Sequence, residues 1–200
     1  MKKFSRTAAI VGFVLWALCS HHFLAVAQDS SRRPRSEIAR SETFPVKVDY
    51  SRTLREMIED GKYDFPSDGT FTAKSLAEDI PHAITGKGVV GAQIVLLHFN
   101  RNMSSAEVNK EIKARGLEPV KIEHVLAFGA QHPELQRKFT IVFPGACWIE
   151  DGGRTRVMPC LTGFVEGKNS VRQIGLLADP EGPAWSGDDR FAAIRTNNKK

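Results

Sequence analysis

Eleven consecutive residues near the C-terminus, 179–189, hold four carboxylates and one large ring: Asp179, Glu181, Asp188 and Asp189 around Trp185. Two chemistries suit such a loop. Calcium takes about six to eight oxygen ligands from flexible carboxylates and carbonyls, and an indole face stacks on a sugar ring. The spacing matches no known calcium loop, so no metal ligand is assigned and calcium stays an open alternative. Binding residues concentrate on loops, which makes Trp185 the expected anchor and the four carboxylates its expected polar partners. A solvated turn with Trp185 tucked into the core is the competing account.

The other reactive side chains are scattered. His82, His98, His124 and His132 share no short ligand spacing, whereas zinc ligands come in closely spaced pairs. They read as structural. Cys147 would need a neighbouring base or a helix N-terminus to act as a nucleophile, and the sequence offers neither. There is no G-x-S-x-G. Glu150 and Asp151 sit together as turn residues. Gly86, Gly88 and Gly91 lead into a strand rather than a helix, which excludes a phosphate cradle. Arg190 and Arg195 read as structural. No catalytic residue is assigned.

These groups need elements to hold them. Val46 and Val48 alternate with Lys47 like a short strand, and Leu54, Met57 and Ile58 have helical spacing over 51–60, closed by Gly61. Residues 64–91 are rich in Pro, Gly, Asp and Ser and read as loop with at most one short strand. Residues 92–99 form the strongest strand, apolar on both faces. Ser104 and Glu107 make a capping box, with Met103 and Val108 placed to staple over it, and Gly116 ends that helix. A second helix spans 120–128 with Gly129 as its terminator, followed by a turn at 133–137. Strands are then expected at 139–148, 155–161, 170–177 and 190–196, with Asp151-Gly152-Gly153 as a hairpin signal. Strand, two helices and several antiparallel strands give a single α+β domain with helices packed beside the sheet.

The N-terminus is built for export. Lys2, Lys3 and Arg6 precede an uncharged apolar run from Ala8 to Cys19, and Ala25-Val26-Ala27 is a small-x-small cleavage site. Residues 1–27 are therefore a signal peptide, with an uncleaved membrane anchor as the alternative. Residues 28–44 read as a flexible tether, 45–196 as the domain and 197–200 as a basic tail. The chain has 28 Lys+Arg and 23 Asp+Glu; three of the positives and no negatives fall in 1–27, so the rest carries only +2. That small excess excludes a nucleic-acid footprint, and membrane contact is expected only through the N-terminal segment if it is retained. Two cysteines remain outside the leader. Cys147 and Cys160 are a candidate disulfide in an oxidising compartment, with two free thiols as the alternative, because spacing alone does not fix the Cα separation.

His98-Phe99-Asn100-Arg101, Val125-Leu126-Ala127-Phe128-Gly129-Ala130, Pro133-Glu134-Leu135-Gln136, Val157-Met158-Pro159-Cys160-Leu161 and Arg190-Phe191-Ala192-Ala193-Ile194-Arg195 resemble a bacterial family of exported proteins with no assigned activity. The likeness covers about residues 46–195. The order of elements, with a closing aromatic-x-x-x-Arg strand, also resembles C-type-lectin-like domains. That resemblance implies a last strand returning beside the first and a ligand surface on the irregular segment before it, here residues 178–189. The Glu-Pro-Asn, Gln-Pro-Asp and Trp-Asn-Asp motifs of calcium-dependent sugar binders are lacking. The combined expectation is a secreted or cell-envelope (periplasmic) binding module without catalysis. It would present residues 162–168 and 178–189 to a glycan or protein ligand. An extracytoplasmic enzyme and a structural envelope protein are the alternatives.

Overall fold

The computed structural model describes residues 40–64, 72–81, 84–150, 155–179, 182 and 185–195. The leader, most of the tether, the basic tail, His82, Glu181 and the turn at 151–154 lie outside the described residues. What is described falls within the unit Ser36–Lys200. Its elements are β1 (Arg40–Asp49), α1 (Leu54–Asp60), α2 (Ala73–Asp79), β2 (Val89–His98), α3 (Ser105–Ala114) and α4 (Ile122–Gln131), then β3 (Ile141–Val142), β4 (Trp148–Glu150), β5 (Thr155–Glu166), β6 (Asn169–Ala178) and β7 (Arg190–Arg195). The strands form one seven-stranded sheet in the order β1-β2-β7-β3-β5-β4, with β6 paired to β5. Every pairing is antiparallel except β3 with β7. This is an α+β domain.

Side-chain alternation in the strands gives the sheet two apolar faces. On one, Val46, Val48, Ile94, Leu96, Ala192, Ile141, Val157, Leu161 and Ile174 pack with Ile58 of α1, Leu76 of α2 and Val125, Leu126 and Phe128 of α4. On the other, Val95, Leu97, Ala193, Phe191, Val142 and Met158 pack with Val108 and Ile112 of α3. Helices therefore cover both faces, and β2, in the middle, is buried on both. The capping box at α3 forms as read: Ser104 Oγ accepts from the Glu107 amide and Glu107 accepts from the Ser104 amide. Thr53 and Glu56 make a second box on α1.

Four expectations need correction. β1 begins at Arg40, inside the segment read as tether. Its first residues are polar and exposed, and their extension comes from pairing with β2, from Arg40 opposite His98 onwards. α2 occupies part of the segment read as loop, and a seven-residue helix is too short for a periodic signal. α4 runs through Gly129 to Gln131. That glycine does not end the helix. A Cβ there would collide with Tyr63 Oη, so it is a close-packing residue. The strand expected at 139–148 is interrupted between β3 and β4 by a turn with Ala146 N–H donating to Phe143 O at 3.0 Å.

The outer edges of the sheet are met by side chains. The Gln131 amide donates to Lys47 O at 2.8 Å and accepts from Lys47 N–H at 2.9 Å, as a neighbouring strand would. His132 Nε2 lies 2.9 Å from Pro45 O on the same edge of β1. On β6, Asp64 N–H donates to Arg172 O at 2.8 Å while its Oδ2 accepts from Arg172 N–H at 2.7 Å. Arg137 donates to Ser170 O at 2.6 Å. Edge groups satisfied in this way are poor templates for another strand.

Candidate functional site

The acidic loop is strapped to the start of α3. Met103 and Trp185 exchange both backbone hydrogen bonds at 3.1 Å. Gly187 N–H donates to Asn102 Oδ1 at 3.2 Å, and His98 Nε2 lies 2.8 Å from Gly187 O. These straps turn the Trp185 side chain inward. It is 6% exposed, packs edge-on against Phe191 at 6.4 Å and donates its Nε1–H to Ser105 Oγ at 2.8 Å. As an exposed anchor for a ligand, Trp185 is corrected. It belongs to the core beneath α3, because the indole has both an apolar cavity to fill and a partner for its N–H.

The carboxylates do not converge. Asp179 accepts from Ser105 Oγ and lies 3.9 Å from Arg156 Nη1. Asp189 turns back on its own loop and accepts from Ser186 N–H at 2.9 Å. Burial pushes its carboxyl above the usual aspartate range, the Ser186 bond acting against that. Asp188 is exposed. Among the described residues, no three His, Cys, Asp or Glu side chains come together as a metal site. Glu181 lies outside them.

Cys147 and Cys160 do not pair; both thiols are free. Trp148 faces Val157, so the register carries Cys147 towards position 158, short of Cys160. Cys160 is buried in the sheet opposite Gly175, and desolvation pushes its thiol up to about 11. Cys147 is half-buried and accepts from Arg156 Nε and Nη2 at 3.0 and 2.9 Å. A connected polar line therefore runs Trp185–Ser105–Asp179–Arg156–Cys147. Three of its five members, Ser105, Arg156 and Cys147, were not anticipated as partners of the loop. Ser105 directly follows the N-cap serine and Arg156 is the second residue of β5, yet neither sequence position says which residue it meets. Its one carboxylate, Asp179, accepts from Ser105 Oγ and stands beside Arg156. Among the histidines, His124 Nδ1 accepts from Lys121 N–H at 3.2 Å and His132 packs on Phe128 and Phe44. Arg190 lies 4.5 Å over the Phe139 ring, the structural role expected of it.

The notable surface is elsewhere in the same half of the molecule. Among the described residues, the large apolar side chains with substantial exposure are Val89, Val90, Ile149, Phe164, Val165 and Leu177. Four of these six lie on β4, β5 and β6. The register puts Ile149 opposite Arg156, Leu177 opposite Met158 and Val171 opposite Phe164, so Ile149, Leu177, Phe164 and Val171 share one face. It is the α3 face; the α3 cluster covers β2, β7 and β3 and reaches β5 at Met158, and among the described residues no helix side chain joins Ile149, Leu177, Phe164 or Val171 in it. Ile149 is 58% exposed and Phe164 44%. Gly175, opposite Cys160, keeps its centre low.

Comparison with protein-family models, with curated proteins and with solved structures finds no match.

Proposed function

We propose that the chain is an exported, non-enzymatic binding module whose ligand seats on the bare β4–β5–β6 face. One observation carries this reading: Ile149 and Leu177 at one end and Phe164 and Val171 at the other, with Thr162 and Gln173 between them, share a sheet face that no helix among the described residues covers. Exposed apolar residues grouped on one face and rimmed by polar ones mark interaction sites. The rim here is Arg156 and Asp179 at one end and the exposed hairpin residues Lys168 and Asn169 at the other. Residues 162–168, expected as a ligand-presenting loop, are instead the end of β5 through Glu166 and a turn at Gly167-Lys168, because pairing with β6 continues to Glu166 opposite Asn169; in this reading they still border the face. Residues 178–189 contribute Asp179 and the exposed Asp188 without the indole.

The ligand we favour is a protein. With Trp185 buried, Phe164 is the ring left for a sugar to stack on, whereas exposed aliphatic residues suit apolar side chains of a partner. A C-type-lectin-like architecture is the finer reading of the fold. It is supported by β7 returning antiparallel beside β2, with the irregular segment directly before it. The leader at 1–27 is the reason for placing the module outside the cytoplasm, secreted or in the envelope. No helix among the described residues is long and apolar enough to cross a membrane.

The test is site-directed photo-crosslinking in the producing bacterium. A benzophenone side chain at Phe164, Leu177 or Ile149 is expected to yield one adduct of common mass, absent from a probe at Lys110 on α3. Phe164→Asp is expected to abolish the adducts at the other two positions. Adducts to glycan strands rather than to a polypeptide would replace the protein ligand with a glycan. No adduct above the Lys110 control would refute the binding face.

A further inference from the structure

The hairpin that joins β5 to β6 outruns its neighbour β3. The ladder between β3 and β5 ends at Leu161, whereas β5 and β6 stay paired as far as Glu166 opposite Asn169. Beyond Leu161 the two strands form a ribbon closed by the turn at Gly167 and Lys168. Gly167 sits at φ +61 with nothing within 4 Å of an added Cβ, the left-handed position that a two-residue hairpin turn asks of glycine. The base of the ribbon is braced. Gln136 Nε2 donates to Thr162 O at 2.9 Å and to Gln173 O at 3.0 Å, and Arg137 donates to Ser170 O at 2.6 Å.

The end of this ribbon is apolar on both sides. Phe164 is 44% exposed and Val165 75%, and as consecutive strand residues they project from opposite faces. A helix or sheet laid on the ribbon would cover one of them and leave the other in water. A fluid apolar layer entered by the tip covers both. The dimensions agree: at about 3.4 Å per residue, Val165 and Phe164 lie roughly 7 and 10 Å behind Gly167, and an interfacial element sinks about 5–10 Å into the boundary between headgroups and acyl chains. Main-chain groups taken out of water need partners; the cross-strand pairs up to Glu166–Asn169 and the Arg137 bond to Ser170 O supply them on the ribbon. Segments 134–138 and 164–170 carry Arg137, Lys138 and Lys168 against Glu134 and Glu166, three cations to two carboxylates. The other adjacent exposed pair, Val89 and Val90, differs in charge, because Val89 lies opposite Asp49.

We propose that the 164–168 tip docks on an anionic lipid surface, with Phe164 and Val165 entering the headgroup–acyl boundary and Lys168 meeting the headgroup phosphates. Two side chains make this contact shallow and reversible, since even a single long acyl chain gives only marginal binding. The tip and the β4–β5–β6 face share Phe164 but are separable. That face turns on Ile149 and Leu177; the tip turns on Val165, which projects from the opposite side of the sheet.

The probe is a phosphatidylcholine bicelle, with or without phosphatidylglycerol, doped with a lipid spin-labelled near the top of its acyl chain and added to the full chain. Methyl and aromatic NMR signals are followed. The Val165 methyls and the Phe164 ring are expected to broaden, while the methyls of Val90, Ile149 and Leu177 stay sharp. Phosphatidylglycerol is expected to strengthen the contact about fivefold at low salt, and Lys168→Glu to remove that gain. Val165→Asp is expected to leave the Phe164 ring unbroadened, with the Leu161 and Val171 methyls at their parental positions showing that the variant is folded. Sharp Val165 methyls would overturn the proposal, and so would lipid contact made by the leader alone, which leaves them sharp. Equal broadening at Val90 would reduce the contact to general stickiness and overturn it too. Broadening centred on Ile149 and Leu177 would move the lipid to the other face. An unchanged phosphatidylglycerol preference in Lys168→Glu would overturn the role of Lys168.

Discussion

Replacing Trp185 by alanine separates a core residue from a ligand anchor. The indole is 6% exposed, its ring contacts Phe191 and its N–H is satisfied by Ser105 Oγ. Truncating a buried Trp to Ala costs about 3–5 kcal/mol, from lost burial and the cavity left behind. Ser105 Oγ keeps its bond to Asp179, so the loss of one donor adds little. For a domain of this size, each kcal/mol lowers Tm by about 2–4 °C, which gives a fall of roughly 6–20 °C. The assay is thermal and urea unfolding followed by far-UV circular dichroism, because the change removes a fluorophore. Trp185→Phe retains most of the ring and forfeits the hydrogen bond, so its fall should be a minor fraction of the alanine value. A Trp185→Ala protein with unchanged Tm would refute the core assignment and return the indole to the surface.

Three further outcomes follow from the same geometry. Burial holds His124 below its ordinary 6.5, so the folded state favours the neutral ring. That contribution is complete above 6.5 and is lost as pH falls through it towards the depressed value. His124→Gln keeps an acceptor for the Lys121 amide, as in a capping box, and removes the titration. Its Tm should match the parent at pH 8 and exceed it near pH 5, and a parallel decline of both proteins would refute this. Asp189 has the opposite sign: its raised carboxyl contributes stability below the ordinary 3.8 that is lost as pH rises through the raised value. Asp189→Asn keeps the acceptor for Ser186 N–H and should gain on the parent between pH 3 and pH 7, read as the difference in Tm; a deficit at pH 7 counts against it. Gln131→Ala strips both partners from Lys47 on the β1 edge. It should cost about 1–2 kcal/mol and raise concentration-dependent self-association in sedimentation runs, whereas a monomer of parental stability would show the edge needs no cover.

What the sequence made legible were features whose signal is local. The α3 start could be read because a capping box is complete within four residues, and β2 because a strand buried on both faces is apolar throughout. Gly129 was misread because glycine inside a helix has two meanings. Only the position of Tyr63, far upstream in the chain, decides between stop and close approach. β1 was read short for a related reason, since Arg40–Thr43 carry no alternation and are extended only by their partner strand. The site shows the same division. Residues 179–189 were recognisable as chemistry-bearing by composition. The direction of Trp185 depends on Met103 and Ser105, some eighty positions away, and composition does not encode it. The bare face was invisible for a third reason: Ile149, Phe164 and Leu177 each look like ordinary strand residues. They become a patch through the register of three strands and the reach of one short helix.

The treatment of the edges bears on how a partner would be recognised. A β-rich protein risks pairing through any free strand, and here both long outer strands meet side-chain or backbone partners: Gln131 and His132 on β1, Asp64 and Arg137 on β6. Strand addition is therefore disfavoured at 45–47 on β1 and at 170–172 on β6. The apolar residues Ile149, Phe164, Val171 and Leu177 on β4–β5–β6 have no such cover among the described residues. With these stretches of β1 and β6 met by hydrogen bonds, a macromolecular partner of the proposed module would seat on the exposed face rather than on those edges. If the proposed partner binds there, side-chain burial should govern the affinity and give a negative heat-capacity change on titration, whereas a heat-capacity change near zero would point to main-chain hydrogen bonds.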